Sequence, residues 1–357
     1  MENEWKVLGA ELAGRKIPSI GLPDGEEARK ARIGAIRNLL CRELYGFAPA
    51  FPLKVEGVER KRDPDGYGGK AMILRLEIQV TSPFAYTSFP ACVALPKGVE
   101  RPPLFLAFAF TEAIADGMGE ELIDNGYAVA SLYYEAVAPD KDDKFQNGAG
   151  NFCRRNPYDA WGKIAIWAWA GSRLLDVCLE KGLADPGRLA VVGHSRLGKT
   201  ALWAGAMDER FTLTISNDSG CGGIALYRGK AGEQLEDLGR WAPYWFCGNR
   251  MHHEGRTAEM PFDAHFLAAL IAPRHLYVAS ASRDDWADPR SEFLCCVAAS
   301  EAYGAYGLKG LVCPDRYPKP GEVFPEGRIG YYLREGTHHL GREDWHRFME
   351  YRSRHTI

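Results

Sequence analysis

Residues 104–110 read Leu-Phe-Leu-Ala-Phe-Ala-Phe, and residues 127–134 are nearly as apolar. A strand with one face in water alternates apolar and polar side chains, so short runs that do not alternate belong to strands buried on both faces. Such strands need helices on each side. Helical patterns are predicted over 115–125, 158–182 and 197–206, with a further strand over 188–192. The order strand, helix, strand, helix predicts an α/β fold with a mostly parallel central sheet flanked by helices.

The segment before this core has another character. Residues 72–80 alternate as a half-buried antiparallel strand does, and 90–95 form a second short β-rich run. Residues 26–44 place Ile33, Ile36, Leu40 and Leu44 near helical spacing behind the acidic Glu26 and Glu27, and Tyr45-Gly46 supplies a stop. Residues 1–50 are therefore predicted to be an N-terminal extension whose amphipathic helix lies on a larger body. Length alone suggests two domains. No linker rich in Pro, Gly or Ser divides the chain, so 1–357 is read as a single domain.

Composition narrows the function. The 44 basic and 47 acidic residues leave a net charge of −3, which gives no basic field to hold a phosphate backbone, so nucleic acid is a poor partner. With 46% hydrophobic and 11% aromatic residues, wholesale disorder is excluded. No apolar run approaches the roughly 18 residues of a membrane span, and the first residues lack a signal-peptide pattern. Nine cysteines (Cys41, Cys92, Cys153, Cys178, Cys221, Cys247, Cys295, Cys296 and Cys313) include no C-x-x-C pair. That pattern predicts reduced thiols and a cytoplasmic protein, or a secreted one if a leader was removed.

The chemistry concentrates at Val191-Val192-Gly193-His194-Ser195-Arg196-Leu197-Gly198-Lys199. A serine on a sharp strand-to-helix turn stands exposed at the carboxyl edge of the sheet, and the crowded backbone favours a small residue two places earlier, here Gly193. The amide of Arg196, at the helix N-terminus, is placed to stabilise an oxyanion. The second glycine of the usual G-x-S-x-G comes one place late, and a serine that merely caps a helix is the plain alternative. A base and an orienting carboxylate are needed as well, in the chain order Ser, Asp or Glu, His. A late strand over 275–281 leads into Asp284, Asp285 and Asp288, and a strand-like 329–334 leads into His338-His339.

Other residues carry weaker signals. Gly193, four residues, then Gly198-Lys199-Thr200 formally matches a P-loop, in which Lys199 would reach nucleotide phosphates and Thr200 would hold Mg²⁺. A P-loop normally follows the first strand of its domain, and this one does not. His252-His253-Glu254 reads as a surface loop, Asp263 and His265 as structural, and Trp161, Trp167 and Trp169 as core. His346 and His355 read as solvated.

Taken in order, Gly193 to Lys199, Ser219-Gly220-Cys221-Gly222-Gly223, Gly232-Glu233, Tyr244-Trp245-Phe246, Pro261-Phe262-Asp263, Ala272-Pro273-Arg274, Asp284 to Pro289, and Gly336-Thr337-His338 with Asp344-Trp345 resemble the glucuronoyl esterases of carbohydrate esterase family 15. The match runs from about residue 158 to 348; residues 50–150 are covered loosely. The resemblance implies an α/β-hydrolase fold and hydrolysis of esters of 4-O-methyl-glucuronic acid on xylan, with no cofactor and no metal. It implies Ser195 as nucleophile, His338 as general base, Arg196 at the oxyanion, and Lys199, Glu233 and Trp286 around the uronate. For the triad acid it offers two positions, Asp284 first and Asp218 second. An acetyl-xylan or other small-ester hydrolase, or a silent sugar-binding protein, would share the fold.

Overall fold

The computed structural model describes residues 6–152, 155–156 and 158–357; residues 1–5 and Cys153 lie outside them. Ten strands form one sheet: β1 (Lys54–Asp65), β2 (Ala71–Thr81), β3 (Tyr86–Pro96), β4 (Leu104–Ala109), β5 (Ala128–Tyr133), β6 (Leu189–His194), β7 (Leu213–Asn217), β8 (His275–Ala281), β9 (Val323–Phe324) and β10 (Ile329–Arg334). Their order is β1-β2-β3-β5-β4-β6-β7-β8-β10-β9. The run from β5 to β10 is parallel, and β1, β2 and β3 add an antiparallel meander at one edge.

The unalternating runs do what their composition requires. Leu104, Leu106 and Phe108 of β4 enter one core with the Lys163–Glu180, Arg196–Met207 and Pro289–Gly304 helices. Phe105 and Ala107 enter a second core with Leu122 and with Trp345, Phe348 and Tyr351 of the Arg342–His355 helix. Both faces of the sheet are thus covered, as the α/β-hydrolase reading requires. The N-terminal segment packs on the first core through Leu8, Ile20, Ile36 and Leu40. Among the described residues no helix is long and apolar enough to cross a membrane.

Several local expectations need correction. The helix expected from 158 begins at Lys163, because 158–161 is extended enough for Ala160 to bridge Phe47. Trp161 is nonetheless buried, as is Trp167. The helix expected over 115–125 is only Gly119–Asp124, since Ala115 and Asp116 take left-handed conformations. The helix expected over 26–44 ends at Leu40 and widens into a π turn over Cys41–Tyr45. The helix Val7–Arg15 and strand β1 were not expected at all. Most of β1 is exposed and charged, which hides the alternation that marks a strand. His346 and His355 are not merely solvated: His346 Nε2 lies 2.5 Å from Glu121, and His355 Nε2 2.8 Å from the Pro325 carbonyl.

The chain leaves β4 for β5 on one side and returns to β6 on the other. At such a reversal, loops at the carboxyl ends of the strands diverge and leave a crevice. Ser195 follows β6 there.

Candidate active site

Ser195 is the single residue between β6 and the Arg196–Met207 helix, with φ 57° and ψ −127°. A non-glycine residue in that region is strained and persists only where its surroundings hold it. Here the Ser195 amide donates to the Asn217 carbonyl at 2.9 Å. A Cβ at Gly193 would sit 2.0 Å from the Leu197 carbonyl oxygen, so the turn is open only to glycine at that position. A Cβ at Gly198 would meet the Asn217 carbonyl at 3.0 Å. The displaced second glycine therefore has its own reason: it lets the helix approach the end of β7.

His338 arrives on the loop after β10, and its Nδ1 lies 2.5 Å from Oδ2 of Asp284, on the loop after β8. The two loops are tied together: the Ser282 amide donates to the Arg334 carbonyl and the Arg283 amide to Gly336, each at 2.8 Å. The His338 ring packs 4.4 Å from the ring of His194, the residue before Ser195. His194 is itself fixed by Asn217, Nδ1 to Oδ1 at 2.6 Å. Burial, then the neighbouring His338 charge, depress the His194 pKa to about 3, so this ring stays neutral.

Both carboxylate candidates reach this place. Asp218, Asp284 and His338 each offer one polar atom within 4.8 Å of the others. That is metal-sized spacing, yet Asp284 gives Oδ2 to the His338 ring and Asp218 gives Oδ1 to the Ala281 amide at 2.6 Å. Burial raises the Asp284 pKa, but the hydrogen bond and charge of His338 outweigh it and leave the carboxyl below its usual range. Asp218 goes the other way: burial, then the charges of Glu292 and Asp284, push it well above the usual range, against the opposing pull of Arg334. One carboxylate is thus ionised against the imidazole, and the other is inclined to hold its proton. Of the other two candidates, Asp285 is exposed, and Asp288 caps the Pro289–Gly304 helix through the Ser291 amide at 3.0 Å.

Lys199 and Glu233 form a buried pair at 3.2 Å, and Lys199 also donates to the Ser219 carbonyl at 2.8 Å. The Glu233 amide donates to the Trp286 carbonyl at 2.8 Å, which links this pair to a tryptophan that is 53% exposed. Gly232 permits the approach, since a Cβ there would lie 2.2 Å from the Asp285 carbonyl. The Arg196 guanidinium is paired with Asp140 and lies 4.9 Å from the Trp245 ring centre. The predicted Ser195, Asp218, Glu233, Asp284, Trp286 and His338 therefore lie in turns and loops at one edge of the sheet, and Arg196 and Lys199 in the first turn of the Arg196–Met207 helix at that edge.

Sequence reasoning missed several participants. Asp140 takes the Trp245 indole N–H at 2.7 Å and the Tyr134 hydroxyl at 3.1 Å, so it orients Arg196 from a buried position. Its signal was an acid opening a polar loop after a buried strand. Arg334 ends β10 and donates to the carbonyls of Thr337 and His339 at 2.7 and 2.9 Å, on either side of His338. A cation closing an otherwise apolar strand was the available sign.

The rival readings do not survive. Gly193 is inside β6, so no loop cradles phosphate; Lys199 is engaged as described, and the Thr200 hydroxyl donates to the Arg196 carbonyl at 3.0 Å. His253 pairs with Glu43 at 3.0 Å on a short 3₁₀ turn. Asp263 is buried against Arg228 at 3.1 Å, and His265 meets the Pro18 carbonyl at 2.8 Å, both structural as expected.

A family model for fungal glucuronyl esterase matches residues 78–307, well over half of the chain. The chain belongs to the glucuronyl esterase family. Its curated relatives include a carbohydrate esterase from an unknown prokaryotic organism, 38% identical over 66% of this chain and 55% of the relative. Another is a 4-O-methyl-glucuronoyl methylesterase of Neurospora crassa, 31% identical over 83% of this chain and 71% of that one. The chain spans only about half the length of the first of these. Among solved structures, a promiscuous family 15 esterase from a marine bacterial metagenome superposes with TM-score 0.86 at 30% identity, covering 95% of this chain and 96% of the other. A glucuronoyl esterase from Solibacter usitatus gives 0.84 at 31%, covering 94% and 97%. The α/β-hydrolase fold expected from the resemblance is thereby established.

Proposed function

We propose that this family member is a serine ester hydrolase that cleaves esters of 4-O-methyl-glucuronic acid carried on xylan or its oligosaccharides. The observation that carries the reading is the 2.5 Å bond between His338 and Asp284 beside the strained Ser195 turn, with Lys199, on the helix that Ser195 opens, paired to Glu233. His338 takes the Ser195 proton as Oγ attacks the ester carbonyl. The Arg196 amide and guanidinium stabilise the tetrahedral oxyanion, and the alcohol leaves with the proton from His338. Water, activated by the same imidazole, then releases the uronate and restores Ser195. Asp284 is the orienting acid; Asp218 supports the loop after β7. Lys199, Glu233 and Trp286 bind the sugar, the first two through hydrogen bonds and the third through its exposed ring. The buried free thiols of Cys41, Cys178, Cys221, Cys247, Cys295 and Cys296 support a reducing, cytoplasmic place of work on oligosaccharides.

A panel of methyl glucuronate and acetylated xylo-oligosaccharides, run with wild type and Ser195→Ala, tests the proposal. Turnover of the uronate ester, reduced at least 10³-fold in the variant, is expected. Preferential turnover of the acetyl ester would replace the substrate, and a fully active variant would remove the mechanism.

A further inference from the structure

An open groove of about 600 Å³ lies beside the start of the Lys163–Glu180 helix, lined by Phe47, Phe51, Phe84 and Phe152 with Asn151 and Asp159. Phe84 is 84% exposed and Phe47 41%. Such exposure costs solvation and marks a surface that meets something. Phe51 holds the set together, its ring 6.1 Å from Phe84 and 5.6 Å from Phe152.

The groove opens at the edge of the sheet that carries Ser195. β3 pairs antiparallel to β5 with Cys92 opposite Ser131, which sets Pro90 level with Tyr133, the carboxyl end of β5. The six further residues to Phe84 carry the β2–β3 turn past that edge, on the order of 20 Å at a strand's rise. Two tracks join groove and active site, one along the chain and one through backbone hydrogen bonds. The loop after β5 begins with Asp140, the partner of Arg196, and ends with Phe152 in the groove; buried Lys163 clamps it through the Lys141 carbonyl at 2.6 Å and Asp143 at 2.9 Å. On the other side Ala160 bridges Phe47, and three and four residues later the amides of Lys163 and Ile164 donate to the carbonyls of Tyr244 and Trp245 at 2.9 and 3.1 Å. Trp245 is the ring beside Arg196.

We infer that this groove is a second carbohydrate subsite, taking neutral pyranose units of the polysaccharide backbone that bears the uronate. This extends the proposed function and rests on it for the choice of sugar. Aromatic faces interleaved with amide and carboxylate side chains suit a pyranose, which presents C–H on its faces and hydroxyls at its rim. Asp159 is the charged side chain of the described lining, so a second uronate is repelled and an uncharged sugar is not.

The test uses the full chain, with Phe84→Ala, Phe47→Ala and the conservative Phe84→Trp, all at exposed positions. Xylohexaose binding is followed by NMR line broadening or calorimetry, and turnover is compared on methyl glucuronate and on a uronate ester of a xylo-oligosaccharide. Either alanine is expected to weaken xylohexaose and raise KM for the oligosaccharide ester about five- to tenfold, the size of one aromatic stacking contact. Turnover of methyl glucuronate stays unchanged, and Phe84→Trp keeps binding. Binding that is absent in wild type, or equal in wild type and both alanines, overturns the inference. So does a loss that appears on esters of aromatic alcohols and not on the oligosaccharide. Binding requires no turnover: Phe84-dependent binding without hydrolysis of any uronate ester would sink the proposed function and leave the subsite standing.

Discussion

At the scale of single residues, two carboxylates compete for one histidine, and their surroundings separate them. Asp284 is held ionised by His338, whereas Asp218 is pushed towards its protonated form and bonds a backbone amide. Asp284→Asn is therefore expected to lower kcat on the order of 10⁴-fold with little change in KM, as loss of the orienting carboxylate does elsewhere. Asp218→Asn, which keeps an acceptor for Ala281, is expected to cost less than about tenfold. Steady-state kinetics of both variants decide this, and equal losses would count against the assignment. That Ser195, His338 and Asp284 would come together was legible because the chain order of a triad and the strand-end positions constrain each other. Asp140 and Arg334 were not, since nothing local distinguishes a buried ion-pair member from a solvated one. Only the fold brings Asp140 under Trp245, a residue more than a hundred positions away.

At the scale of elements, the strand-to-helix turn depends on what glycine omits. Gly193→Ala places a methyl against the Leu197 carbonyl, and backbone cannot move aside as a flexible side chain would. A loss of about 1–3 kcal/mol in stability is expected, with activity reduced beyond what the remaining folded fraction explains. Denaturant melts alongside active-site titration separate the two effects. The buried strands β4, β5, β6, β8 and β10 were readable because both faces are dry, so their composition is nearly uniform. β1 escaped notice for the opposite reason: its Glu59, Arg60, Lys61 and Arg62 face water, and pairing with β2 alone defines it. Helix starts slipped where a glycine, here Gly162, delays the first turn after an apolar stretch.

At the scale of the molecule, buried titrating groups set a stability window. The Glu292 carboxyl, within the Pro289–Gly304 helix, accepts from Ser280 at 2.5 Å and the Gly220 amide at 2.8 Å, so it ties that helix to β8 and to the loop after β7. Burial lifts its pKa from 4.5 to about 7, despite those hydrogen bonds. Between these values the fold holds a proton that the unfolded chain has released. Its contribution is complete below pH 4.5 and declines as pH rises towards 7. His194 and His275 act in the other direction: burial depresses both to about 3, so their contribution is complete above about pH 6.5 and is lost as pH falls. Glu292→Gln is expected to flatten the decline of Tm between pH 5 and pH 7.5. An unchanged slope would show that other groups dominate.

The loops that meet at Ser195 come from far apart along the chain, and the imidazole is carried in by β10, the last strand to be synthesised among the described ones. The elbow can be in place while the sheet still lacks the base that the proposed mechanism assigns to His338. A partly assembled chain, whether emerging from the ribosome or refolding from denaturant, thus exposes its hydroxyl without a means of activating it. Under the proposed mechanism, hydrolysis begins only when β10 has docked on β8, so the appearance of activity would time the closure of the sheet.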